Sequence, residues 1–282
     1  MIKKITLVVL CCAFLISCDK NTDYVVVIHT SFGDMKAILY DETPLHKENF
    51  LKLVRAGQYD STIFHRVINQ FMIQGGDVDA KEGTQNKSLI DAEIVDGFYH
   101  QKGALAAARQ GDKINPEKKS SWCQFYVVHG KTFSDAEMQQ LSIDHRALQQ
   151  AISQMIQYES HADLRDKLLE MQRNGDQAGM KKLFEENIDL AEKEMNVKIR
   201  KKDISPEQKE IYSTIGGAPH LDGDYTVFGK VVEGLDVVDK IASQKTGGRN
   251  KPIQDIFMTL EIVEMKKKEV TEKYGYTYPE EE

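Results

Sequence analysis

Apolar and polar positions alternate near both ends of the chain and recur at helical spacing in its middle. YVVVIHTSFGDMKAILYD, from Tyr24 to Asp41, sets β-branched and apolar residues on either side of Ser-Phe-Gly-Asp, which predicts two strands and a turn. TPLHKENFLKLVRAG, from Thr43 to Gly57, reads as a helix with both ends marked: Thr43 as cap, Pro44 in the first turn, Gly57 past the end. Leu45, Phe50, Leu53 and Val54 are assigned to its buried stripe. Further strands are expected at FHRV and FMIQ, at GALAAA (Gly103–Ala108), CQFYVVHG (Cys123–Gly130), YTVFGKVV and FMTLEIVEM, with a second helix at GLDVVDKIA. This order predicts a mainly β protein with two short helices, as a closed barrel gives.

From Lys131 to Ser213 the texture changes. Ser134 and Glu137 have the spacing of a capping box, and Leu141, Leu148, Ile152, Met155 and Ile156 recur at helical spacing. Helical stretches follow at HADLRDKLLEMQRN and GMKKLFEENIDLAEKEMN. Residues 131–213 therefore read as an all-α insertion between barrel segments 24–130 and 214–265, whose removal the barrel should tolerate. Residues 266–282 read as a charged tail.

The N-terminus adds a destination. MIKK is basic, ITLVVLCCAFLI is apolar over the length of a signal peptide, and LISC at Leu15–Cys18 precedes polar DKNTD. This is the pattern of a bacterial lipoprotein signal spanning residues 1–18, with Cys18 lipidated. The expectation is a cell-envelope lipoprotein, anchored to a membrane through Cys18 and facing the periplasm. Cys11 and Cys12 leave with the signal, so Cys123 is the one unmodified cysteine and no internal disulfide is expected. Hydrophobic residues make up 41% and charged residues 29%, an ordinary globular balance, and the net charge of -7 speaks against a nucleic-acid partner. A monomer is expected.

Candidate chemistry concentrates in FHRVINQFMIQGGD, Phe64–Asp77, where Arg66 and Gln74 stand among apolar residues. A buried arginine is costly unless it is paired or used. Arg66 could be an ion-paired structural residue, and His65 reads best as a barrel hydrogen-bonding group. Strands that bring Arg66 and Gln74 beside Phe71 and Met72 would make a greasy cleft with few polar groups. The sequence shows no nucleophile–base pair, metal-ligand cluster or phosphate loop, and Gly75-Gly76 lacks the context of a nucleotide motif. No cofactor and no metal are called for.

FHRVINQFMIQGGD, together with CQFYVV and HLDGDYTVFGKVVEGLDVVDKI, resembles the cyclophilins, and the matches run in family order from Tyr24 to Met265. The resemblance implies a closed eight-stranded barrel capped by two helices, with peptidyl-prolyl cis-trans isomerase activity on unfolded or exported Xaa-Pro-containing proteins. It assigns Arg66 as the catalytic donor, with Gln74 orienting it and Phe71 beside it. Phe71, Met72, Phe125 and Leu221 would line the proline pocket, and Gln124 with the backbone at Ala108 and Arg109 would hold the substrate chain. Tyr225 stands where the family often has His, and His220 where eukaryotic members often have Trp. A second reading, from another class, is a non-catalytic peptide-binding or chaperone lipoprotein working through its helical insertion.

Overall fold

The computed structural model describes residues 21–86, 88–199 and 204–279; the Cys18 lipidation motif lies outside them. β1 (Thr22–Thr30) and β2 (Gly33–Leu39) form a hairpin in which Thr30 pairs with Gly33. Their alternation sends Val26, Ile28, Met35, Ala37 and Leu39 to the interior, and Val25 and Ile38 to the opposite face. α1 (Pro44–Arg55) then lays Phe50, Leu51, Leu53 and Val54 on that interior. Two expectations fail at its start. Leu45 is 48% exposed, and His46 takes the buried place four residues before Phe50. Thr43 gives no side-chain cap; instead the Glu93 carboxylate accepts from the N–H groups of Leu45 and His46, each at 3.0 Å.

The chain continues through β3 (Thr62–Ile63), β4 (Arg66–Ile68), β5 (Met72–Gly75), α2 (Val78–Glu82), β6 (Leu89–Ile90), β7 (Ala104–Ala107), β8 (Ser120–Ser121) and β9 (Phe125–Val128). The inserted helices are α3 (Asp135–Leu141), α4 (His145–Met155), α5 (Ala162–Arg173), α6 (Gln177–Glu186), α7 (Ile188–Met195) and α8 (Pro206–Thr214). β10 (Val227–Glu233), α9 (Leu235–Ala242), β11 (Phe257–Lys266) and α10 (Lys267–Tyr274) complete the fold.

The main sheet has nine strands in the order β3-β11-β1-β2-β10-β7-β9-β5-β4. It is a curled, open sheet rather than the closed eight-stranded barrel expected. Its edge strands β3 and β4 are short, and no ladder joins them among the described residues. Only Phe64 and His65 separate them in the chain, so the two edges meet through the backbone itself. Phe64 N–H turns to the carbonyl of Ile256 at 2.9 Å instead of to a strand across the seam. α1 and α9 close the interior with Phe50, Leu53, Val237 and Ile241.

The C-terminal segment, read as a charged tail, packs against the sheet. Val270 of α10 is fully buried against Val25 and Ile38. Tyr276 stacks on Tyr40 at 6.3 Å between ring centroids, and the Tyr278 hydroxyl donates to Asp23 at 3.1 Å. Val270, Tyr274, Tyr276 and Tyr278, at alternating or helical spacing, thus carry the segment back onto the outer face of β1 and β2.

The inserted helices bury a cluster of their own: Leu148, Ala151, Ile152 and Met155 of α4, Leu164 and Leu168 of α5, Ile188 and Ala191 of α7, and Ile199. Both halves of the Ser134–Glu137 capping box form. Leu141, expected on the buried stripe, is 38% exposed, and Met138 is buried in its place. The backbone N–H of Asp144 donates to the carbonyl of Ile199 at 2.8 Å, so the chain leaves and returns to this lobe at one narrow neck. α8 lies on the other side of the neck, where the ring of Tyr212 is fully buried and packs edge-on against Phe133.

Candidate active site

The β4–β5 hairpin places Arg66 directly opposite Gln74. A guanidinium can only donate, so hydrogen bonds run outward from Arg66 and the Gln74 amide must turn its oxygen toward it. Arg66 Nη1 donates to Gln74 Oε1 at 3.2 Å, and Gln74 Nε2 donates to Gln124 Oε1 at 3.1 Å. The same Nη1 is 3.9 Å from the Met72 sulfur, and the guanidinium lies 5.9 Å from the Phe71 ring centroid. The hairpin turn sets that ring: Phe71 N–H returns to the Ile68 carbonyl at 3.1 Å, while Gln70 takes a left-handed φ of 61° and donates to His129 Nδ1 at 2.8 Å. Arg66 is half-buried, and among the described residues no carboxylate pairs with it. The ion-paired reading of Arg66 therefore does not hold.

Around this arginine the sheet builds an apolar wall. Met72, Ala108, Tyr126 and Leu221 are buried together, with Phe71 and Tyr225 packed against them. His220 packs tilted against Phe71 at 5.1 Å between ring centroids. Burial pushes the His220 imidazole below its ordinary pKa, and nearby His100 adds to this. The Arg109 guanidinium covers the Tyr225 ring at 4.4 Å and is tied by Nε to the Asp224 carbonyl at 2.7 Å. Both backbone groups of Ala108 are engaged, its N–H with the Gln124 carbonyl at 2.9 Å and its carbonyl with Ser121 N–H at 2.8 Å. The Ala108 N–H is thus taken up within the fold, while its carbonyl keeps a second lone pair that can accept. Among the described residues, the backbone N–H and carbonyl of Arg109 make no hydrogen bond.

Phe125 is a correction. Its ring points into the sheet's interior, edge-on to Phe50 at 5.3 Å and to Tyr59 at 5.5 Å, away from the cleft. Tyr126, which sequence reasoning missed, takes the place in the wall. The signal was available: along β9 alternate residues share a face, so Gln124 and Tyr126 must point together and Phe125 oppositely. Among the described residues, His65 Nδ1 is buried with no hydrogen-bond partner, and burial lowers the pKa of this ring. Cys123 is buried, which raises its thiol pKa and leaves it inert.

The family model described as cyclophilin type peptidyl-prolyl cis-trans isomerase/CLD matches residues 25–144 and 145–262. The chain belongs to this cyclophilin-type isomerase family. A provisionally named peptidyl-prolyl cis-trans isomerase of Staphylococcus saprophyticus is 29% identical over 245 residues, covering 85% of this chain and 91% of the relative. A provisionally named bifunctional phosphatase/peptidyl-prolyl cis-trans isomerase of Streptococcus pyogenes is 28% identical over 252 residues; the match spans 86% of this chain but only 40% of that longer relative. Among solved structures, a cyclophilin-type isomerase of Cryptosporidium parvum superposes with a TM-score of 0.49 at 20% identity, over 86% of this chain and 98% of that one. Membership in the family makes the chain a peptidyl-prolyl isomerase and implies proline-containing peptides as substrates.

Proposed function

We propose that this cyclophilin isomerises Xaa-Pro bonds in exported, unfolded proteins, as a monomer tethered through a lipidated Cys18 on the periplasmic side of a bacterial envelope membrane. The observation that carries the mechanism is the half-buried Arg66, which has no carboxylate partner among the described residues and is aimed by Gln74 across Phe71 and Met72. Rotation about a peptide bond meets a barrier of roughly 18–20 kcal/mol because resonance holds it planar. As the bond twists, the proline nitrogen becomes pyramidal and regains its lone pair. A guanidinium held in place donates to that lone pair, which the planar ground state lacks, and so binds the transition state selectively. A thousand-fold acceleration asks for about 4 kcal/mol, within reach of one charge-assisted donor in a desolvated cleft. Met72, Tyr126 and Leu221 seat the proline ring, and the open backbone of Arg109 pairs with the substrate chain. Arg66→Ala should lower kcat/KM on an Ala-Pro test peptide by roughly 2–4 kcal/mol of transition-state stabilisation with the fold intact; wild-type turnover would remove the mechanism. Cys18→Ser should abolish fatty-acid labelling, and label persisting in that variant would remove the tether.

One observation favours an added role for the insertion. A groove of about 320 Å³ runs between α4 and α6, with Leu148, Met180 and Phe184 in its floor and His145, Lys181 and Glu185 on its rim. A groove that takes up unfolded chain would make the lobe assist large clients only. Refolding of a proline-limited protein would then slow in a Met180→Glu variant while tetrapeptide isomerisation stayed the same; equal rates on both substrates would exclude it.

A further inference from the structure

Asp222 is buried immediately after His220 and Leu221 in the cleft wall. Its carboxylate is held from two sides. From the barrel, Oδ1 accepts from the backbone N–H and from Nδ1 of His100, each at 2.9 Å. From the insertion, Oδ2 accepts from the Tyr212 hydroxyl at 2.7 Å and the Gln208 amide at 3.0 Å, both on α8. A carboxylate only accepts, so the His100 proton facing it sits on Nδ1. The other ring nitrogen, Nε2, lies 3.0 Å from the hydroxyl of Tyr126. A continuous line of hydrogen bonds thus runs from α8 through Asp222 and His100 into the wall of the cleft. Burial alone would raise the Asp222 pKa, but the His100 and Tyr212 donors outweigh it and hold it below the ordinary carboxylate value.

The backbone after α8 is fixed to the same place. Gly217 N–H donates to the Lys131 carbonyl at 2.9 Å, and Ala218 N–H to the His100 carbonyl at 2.8 Å. A Cβ on Gly217 would come within 2.2 Å of that His100 carbonyl, so only glycine permits the approach.

We infer that α8 belongs to the cleft rather than to the lobe: Tyr212 and Gln208 are positioning residues that, through Asp222 and His100, set Tyr126 and the His220–Leu221 wall against the proline ring. The inference rests on the isomerase reading of the cleft. Removing the Tyr212 hydroxyl strips one charge-assisted bond from a buried carboxylate. The slack is then taken up by the segment that carries Leu221.

The test is Tyr212→Phe in the full chain, read by kcat and KM on an Ala-Pro tetrapeptide and by direct titration with the same peptide. KM and the titrated dissociation constant should rise about 3–10-fold with kcat within about twofold, because the wall binds while Arg66 reacts. Tyr126→Phe cuts the far end of the same line. It should act alike, and the double variant should be no worse than either single one. Unchanged affinity, even with a lowered melting temperature, would make the network merely structural and overturn the inference. Additive losses in the double variant would also overturn it, by showing two independent sites. Should Tyr212→Phe not fold, Gln208→Met reads the same outcomes with Tyr212 in place. A full chain that binds the peptide without isomerising it would sink the isomerase reading alone, leaving titration to decide the network; no binding would overturn both.

Discussion

The curled sheet and the helical lobe each rest on a separate cluster of buried side chains, but they differ in what else they bury. The lobe core is Leu, Ile, Met and Ala. Among the described residues, the buried polar or charged side chains are Asp23, Thr43, His46, Thr62, His100, Asn115, Ser120, Asp222 and Thr226, and none lies in the lobe. An unsatisfied buried polar group costs about 1–3 kcal/mol, so such groups persist where they are hydrogen-bonded and put to use. The sheet carries these networks: His46 links Glu93 at 2.6 Å to Ser120 at 2.8 Å, and Asp222 links His100 to α8. The lobe's core is apolar, and its polar links, such as His161 to Glu194 at 2.6 Å, lie outside that core, which makes it separable. The sheet is held by packing plus fixed polar geometry, which the proposed role of Arg66 against a peptide bond would require.

Two probes separate the regions. Trp122, the chain's single tryptophan, belongs to the sheet, where it donates to Asp79 at 3.0 Å, while α4–α7 of the lobe supply roughly half of the helical circular dichroism. Phe125→Ala should give the largest effect, a loss of about 3–5 kcal/mol in the Trp122 transition, because it empties the aromatic interior. A rise in KM without that loss would return Phe125 to the cleft. Ile152→Ala should cost about 2–3 kcal/mol in the helical signal, since a small lobe can partly collapse around the gap. Trp122 should not respond; a shared shift would show that the two cores unfold as one.

A smaller effect comes from pH. Burial lowers the pKa of His46 against the opposing pull of Glu93, and burial likewise lowers His65, His129 and His220. Each folded-state value lies below the unfolded one, so between the two the unfolded chain binds more protons. The stability these rings contribute is complete above the unfolded value of about 6.5 and is lost as pH falls through the folded values. Exposed His29, raised chiefly by its hydrogen bond to Asp34, works the other way but is screened by solvent. The Trp122 melting temperature should therefore drop from pH 7.5 to pH 5, and His46→Asn should shrink the drop. A melting temperature that rises on acidification would contradict the assignment.

Much of the fold was legible in the sequence because alternation, turn and cap chemistry are local: the β1–β2 hairpin, the Arg66–Gln74 pair and the Ser134 cap of α3 all arise from spacing. The misses have physical causes. At α1, spacing pointed to His46, four before Phe50, but apolarity favoured Leu45, and a histidine paired with Glu93 proved buriable. At β9, a family pattern was followed where alternation already excluded Phe125 from the face shared by Gln124. In the C-terminal segment, the charges of KKKEVTEK hid the spacing of Val270, Tyr274, Tyr276 and Tyr278. The Asp222 network joins residues 100, 126, 208, 212 and 222, and no local period encodes such a meeting. Cutting out residues 131–213 would also remove Gln208 and Tyr212 from Asp222, which the inference above expects to matter.

Asp144 and Ile199, 2.8 Å apart at the neck, mark the narrower cut. The decisive measurement is isomerisation of one Ala-Pro tetrapeptide by three proteins: the full chain from residue 21, the chain with residues 145–198 replaced by a short Gly/Ser linker, and the full chain carrying Arg66→Ala. The expected result is equal kcat/KM, within about twofold, for the first two and a loss of roughly 30-fold or more for the third. Loss of activity with the lobe, or its survival without Arg66, would contradict the assignment of the chemistry to the cleft.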